Sequence, residues 1–267
     1  MKRLPNKKLS TATLDLLIED NLFDYGGEAI ICRPTNAKSL YKIFVFPGTD
    51  VPDQMSDNKF KKILYYYQHD IANMVKPLST LEYNGILIGY EESYDPDDLS
   101  LLDSLLTKEK LITCLSRTKE QLDYFASLDI TYGDVTADNI LINQKTMQPK
   151  FCDIDNTNVA GYPIDVMGFG LTDYYDTVQE IDSKADIFMH NLLVLERLYH
   201  RNSSYQQVLN EIKRGNIPTD LDEIAQQIIT SMANPQEFIA EPIIPFVKKI
   251  SKSKILHNSV TRLNDFI

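Results

Sequence analysis

The chain has 267 residues, 43% of them apolar and 24% charged. That is enough for one large domain or two small lobes around a sizeable core, and it excludes a disordered or collagen-like chain. Twenty-seven basic against 38 acidic side chains leave a net charge of −11, which repels DNA, RNA and anionic membranes, so no nucleic-acid partner is expected. Cys32, Cys114 and Cys152 cannot all pair and fall in no metal-ligand spacing; no apolar h-region follows the basic opening Met1 to Lys8, and no apolar run is long enough for a membrane span, so a cytoplasmic protein is expected.

In chain order, Phe23 to Phe46 reads as short strands separated by turns: Gly26-Gly27, then Ala29 to Cys32, a turn at Arg33 to Asn36, and Leu40 to Phe46. After a polar loop, Lys59 to Gln68 spaces Phe60, Ile63, Leu64 and Tyr67 as a helix does. Leu81 to Tyr83 and Ile86 to Tyr90, joined by Asn84-Gly85, predict a hairpin with a type I′ turn. The polar break from Glu91 to Asp98 places a boundary near Ser93. Beyond it the pattern turns helical, over Leu99 to Leu106, Leu111 to Leu128, a segment starting near Asp186, and one capped by Thr219 or Asp220.

The exception lies between residues 132 and 155. Tyr132 to Asn139 is followed by the apolar run Ile140 to Ile142, a polar turn, and Lys150 to Asp155. Two short strands joined by a turn return their ends to one place, so Asn139 and Asp153 become neighbours. An amide oxygen and a carboxylate suit Mg²⁺, a hard ion that completes its shell with water and phosphate oxygens. Asp134, on the loop before Asn139, can face the same point and accept a proton.

An Asp, four residues, an Asn, a hairpin and a second Asp resemble the catalytic loop and metal motif of the protein-kinase-like superfamily. The resemblance implies that Asp134 deprotonates an acceptor hydroxyl while Asn139 and Asp153 hold Mg²⁺ on the phosphates of ATP. Gly26, Gly27, Glu28 and Ala29 resemble a shortened glycine-rich loop, Lys42 the strand lysine on the α- and β-phosphates, and Glu92 with Ser93 the hinge that takes adenine. Asp186 resembles the helix Asp that braces the catalytic loop. The implied fold is α+β and bilobal, a small antiparallel-sheet lobe over about residues 10–93 and a larger, mainly helical lobe over 94–267, together a single protein-kinase-like domain.

The sequence departs from the pattern in three places. No Glu occurs between Ala29 and Leu81, so Lys42 lacks its usual helix partner or takes an Asp or Glu28 instead. Asp155 stands where the metal motif has Gly, either adding to the metal shell or, as the simpler reading, capping the next turn. Gly133 precedes the base where regulated protein kinases have Arg, and no Arg occurs from 118 to 196 to clamp a phosphorylated loop. Gly133 and Thr136 are also similar to aminoglycoside phosphotransferases and choline kinases. The expected activity is ATP- and Mg²⁺-dependent phosphoryl transfer to a hydroxyl of a protein, as in divergent bacterial Ser/Thr kinases; the alternatives are a small-molecule acceptor or a nucleotide-binding pseudokinase. His69, His190, His200 and His257 read as surface or core residues, and Lys248 to Lys254 as a solvated helix face.

Overall fold

The computed structural model describes residues 3–247 except 36, 168–170, 201–202 and 235–236; His257 and the Lys248 to Lys254 face lie outside the described residues. The fold is α+β. A six-stranded sheet is built from β1 (Asn6–Leu9), β2 (Leu22–Tyr25), β3 (Ala29–Cys32), β4 (Ser39–Phe44), β5 (Pro77–Tyr83) and β6 (Ile86–Ser93), in the order β1-β5-β6-β4-β3-β2. The sheet is mixed rather than antiparallel, because β1 runs parallel to β5 at one edge. Helices α1 (Thr11–Asp20) and α2 (Asp57–Gln68) accompany it.

Strand alternation divides the sheet into two faces. Ile30, Cys32, Ile43, Val45, Leu81 and Ile88 form one core under Leu14 and Leu17 of α1. Ala29, Phe44 and Tyr90 belong to a larger core with Ile63 and Tyr66 of α2. Lys42 lies opposite Tyr90 and Ile31 in the ladder, so it projects from this second face. Asn84 (φ 50) and Gly85 (φ 84) both have positive φ, as the expected β5–β6 turn requires.

A second sheet, β7 (Asp98–Ser100), β8 (Ile140–Asn143) and β9 (Gln148–Phe151), supports the hairpin that the sequence announces. Leu99 to Leu106, expected as a helix, instead begins with β7, since Asp98 is drawn into this sheet by Lys150 and by Asn143 Nδ2 at 3.3 Å. The remaining helices are α3 (Lys108–Ser127), α4 (Ser183–Tyr199), α5 (Tyr205–Lys213), α6 (Glu223–Ser231) and α7 (Ile244–Val247). The N-cap of α6 is Asp222 rather than Thr219 or Asp220, with its carboxylate accepting from the Ala225 amide. No helix of the described residues is long and apolar enough to cross a membrane.

Helix α4 is buried along nearly its whole length, which explains its apolar run and its one interior imidazole. His190 lies 2.8 Å from the Leu115 carbonyl oxygen through Nε2, joining α4 to α3, and burial holds its pKa down at about 4. The unfolded chain takes up this proton near pH 6.5 and the folded chain does not until about pH 4, so His190 lowers stability as pH falls through that window. This contribution should amount to about 2 kcal/mol between pH 7 and pH 5. Urea denaturation at the two pH values should show a smaller loss for His190→Gln, which retains a donor for Leu115, than for the wild type.

Candidate active site

The site forms where the second face of the sheet meets the end of the β8–β9 hairpin. Strand β4 carries Lys42, held close to β6 by Gly89, where a Cβ would stand 2.0 Å from the Lys42 carbonyl oxygen. The Lys42 ammonium donates to Asp153 Oδ1 and, at 2.7 Å, to Asp155 Oδ1. After β9, Asp153 takes left-handed backbone angles (φ 56, ψ 41) and starts a single 3-10 turn, Ile154–Asn156, that brings both carboxylates to the amine.

Asp155 does not cap a turn, as the simpler sequence reading had it. It is 1% exposed and serves as the hub of a buried ionic cluster. Tyr90 Oη donates to its Oδ1 at 2.7 Å, and Lys59 Nζ of α2 donates to its Oδ2 at 3.3 Å. Lys62 Nζ, fully buried, donates to the Asp155 main-chain oxygen at 3.1 Å and to Asp165 Oδ2 at 3.4 Å. Burial alone would raise the Asp155 carboxyl, but Lys42 and Lys59 outweigh it and hold the group well below the usual carboxylate range. Burial likewise pulls the Lys42 amine down, and the charges of Asp153 and Asp155 more than reverse this. Lys42 therefore has carboxylate partners, both from the hairpin end and neither from α2 nor Glu28.

The loop from Tyr132 to Asn139 is held from below by α4. Asp182 caps that helix, and Asp186, buried in its first turn, accepts from the Tyr132 amide at 2.9 Å and the Gly133 amide at 2.7 Å. Asn139 Nδ2 donates to Asp134 Oδ2 at 2.8 Å and to the Asp134 carbonyl at 3.3 Å. Burial, reinforced by the charge of Asp153, pushes the Asp134 carboxyl up to about 6. The ladder pairs Ile140 with Phe151, and the Cys152 amide donates to the Asn139 carbonyl at 3.1 Å, so Asn139 and Asp153 leave the hairpin side by side.

The other expected residues are more dispersed. Gly26 and Gly27 make the β2–β3 turn, closed by the Gly26 amide on the Ala29 carbonyl at 2.9 Å; Ala29 itself is in β3, and Glu28 reaches Lys59 at 2.8 Å. Glu92 and Ser93 lie within β6 rather than in a free connection, and the Ser93 amide is taken by the Lys76 carbonyl at 2.9 Å. Glu92 is 6% exposed with Oε2 unpartnered, and burial raises its carboxyl to about 7. The sequence reading missed Lys59, Lys62 and Tyr90; the four-residue steps Lys59 to Ile63 and Lys62 to Tyr66 on α2 were the available signal.

The donor set can be weighed against Mg²⁺. Asn139 spends its amide hydrogens on Asp134, and Asp153 gives Lys42 only Oδ1; this leaves Asn139 Oδ1 and Asp153 Oδ2 without donors among the described residues. Two hard oxygens from the two sides of the hairpin end fit an ion that draws most of its shell from water and phosphate. No group of three or more His, Cys, Asp or Glu side chains placed to hold a metal occurs among the described residues. No protein-family model matches the chain, and no curated protein matches it significantly.

Because Asp155 is the buried carboxylate that Lys42 and Lys59 share, Asp155→Asn should destabilise the fold by about 3 kcal/mol or more, read from the urea midpoint. Asp153→Asn, at a side chain 27% exposed, should cost clearly less.

Proposed function

We propose that the chain is an ATP- and Mg²⁺-dependent phosphotransferase with a bilobal protein-kinase-like fold, acting on a hydroxyl of a protein in the manner of a divergent Ser/Thr kinase. The observation that carries this reading is the convergence of Lys42 from the sheet with Asp153 at the hairpin end, beside a hydrogen-bonded Asp134–Asn139 pair at the hairpin start. The six-stranded sheet with α2 forms the smaller part, and the second sheet with α3 to α7 the larger.

In this reading Asp134 accepts the proton of the acceptor hydroxyl, whose oxygen attacks the γ-phosphorus as the bond from that phosphorus to the β-bridging oxygen breaks and ADP departs. Asn139 orients Asp134 through its amide hydrogens and offers its amide oxygen, with Asp153 Oδ2, to Mg²⁺. Bound there, Mg²⁺ supplies neutralisation of the phosphate charge that grows during transfer. Lys42 lies against Asp153 and can bind a phosphate oxygen once that carboxylate is otherwise engaged. Asp186 fixes the loop through two amides and touches no reacting atom.

A second reading, a nucleotide-binding module without transfer, is favoured by one observation: α2 presents lysines to this site and no glutamate. Transfer of labelled γ-phosphate to generic protein, aminoglycoside and sugar acceptors separates the readings and also identifies the acceptor class. Asp134→Asn should reduce transfer by about 100-fold or more with nucleotide affinity nearly unchanged. Asp153→Ala should weaken Mg²⁺-dependent ATP binding as well, measured by titration calorimetry. Nucleotide binding by the wild type with no transfer to any acceptor, itself included, would replace the enzyme reading by the module.

A further inference from the structure

Three lysines surround Asp155, and they differ in what holds them. Lys62 is fully buried, and its amine is committed to a main-chain oxygen and Asp165. Lys42 is shared by Asp153 and Asp155. Lys59, 12% exposed, bonds Asp155 at 3.3 Å on one side and Glu28 at 2.8 Å on the other. Glu28 belongs to the glycine turn and is 50% exposed, so its carboxylate can be returned to water at small cost.

Lys42 and Lys59 also lie on either side of one carboxylate. They take opposite oxygens of Asp155, and both approach the Phe44 ring, at 5.7 Å and 4.6 Å from its centroid. Asp155 carries a single charge, and the balance is supplied by Asp153 and Glu28, the two more exposed carboxylates of the group. If those two are exchanged for other partners, two ammoniums share one buried carboxylate, and a net positive spot opens beside the Gly26-Gly27 turn. A phosphate oxygen makes the same kind of charge-assisted bond to an ammonium as a carboxylate does, and an oligophosphate brings several negative charges where Glu28 brings one.

We infer that Lys59 is a second phosphate-binding cation of this site, exchanging Glu28 for an oligophosphate that enters beside the glycine turn. The inference rests on the nucleotide-binding reading given above and adds to it a ligand from the helix that faces Lys42. It reverses the usual polarity of that helix: α2 delivers a cation to the phosphates, and the carboxylate that orders Lys42 comes from the hairpin.

The test is calorimetric titration of ATP, and of inorganic tripolyphosphate as a base-free probe, in the presence of Mg²⁺. Lys59→Gln should weaken both by about tenfold, and Lys59→Arg should restore binding to within a few-fold of wild type. Glu28→Gln, isosteric and at a half-exposed position, frees the Lys59 amine and should tighten tripolyphosphate several-fold; it decides the matter if Lys59→Gln does not fold. Equal affinities for wild type and Lys59→Gln, or weaker binding by Glu28→Gln, would overturn the inference while leaving the nucleotide site standing. A wild type that binds neither ATP nor tripolyphosphate would overturn the nucleotide reading and this inference with it.

Discussion

An ionised carboxylate with 1% exposure cannot be left without donors, and the fold is arranged around supplying them to Asp155. Lys42 comes from β4, Tyr90 from β6 and Lys59 from α2, while Lys62 takes the carbonyl of the same residue. Three elements distant in sequence are thereby fixed to the end of one hairpin. Apolar contact between α2 and the sheet is non-directional, whereas these bonds have defined lengths and partners, so they specify how the helix sits. Asn58 extends the same control, donating to Asp165 Oδ1 at 2.6 Å and to the Pro163 carbonyl at 3.0 Å, and so ties the following segment to the first turn of α2.

The features visible in the sequence are those set by short-range geometry. The Asn84-Gly85 turn, the β8–β9 hairpin and the apolar spacing of α2 each follow from residues within one element or its nearest neighbour. The polar strand Asn6–Leu9 gives no such signal, because its parallel pairing with β5 depends on a partner some 70 residues away, as in Asn6 Nδ2 to Glu82 Oε2 at 2.6 Å. Leu99, Leu101 and Leu102 carry apolar spacing suggestive of a helix, yet the Asp98–Lys150 ion pair and pairing with β8 draw the start of that segment into a strand. Asp155 was ambiguous for a related reason: its role is set by Lys42, 113 positions earlier, and no local spacing encodes that.

Under the proposed nucleotide reading, the cluster also bears on how an acidic protein would take a polyanionic ligand. A net charge of −11 describes the long-range field, which salt screens beyond a Debye length of about 8 Å at physiological ionic strength. Inside the seam between α2 and the sheet the charges come close to balance, three lysines (Lys42, Lys59 and Lys62) set against four carboxylates (Asp153, Asp155, Asp165 and Glu28). Buried charges are screened far less than surface ones, so the partners of these lysines govern what the seam can bind, and the sum over the chain does not.

Gly133 shows how a residue that looks like a regulatory difference can be a structural requirement. Its φ is +79, and a Cβ there would lie 3.2 Å from Ile164 Cγ2, so an arginine at this position would strain the backbone and crowd a core side chain. The same backbone conformation delivers the Gly133 amide to Asp186, beside the Tyr132 amide on the other oxygen of that carboxylate. With two successive amides anchored, and Tyr132 Oη bonded to the Cys152 carbonyl, the loop leaves α4 in one direction and sets Asp134 against Asn139. Glycine at 133 is thus explained by the bracing of the loop.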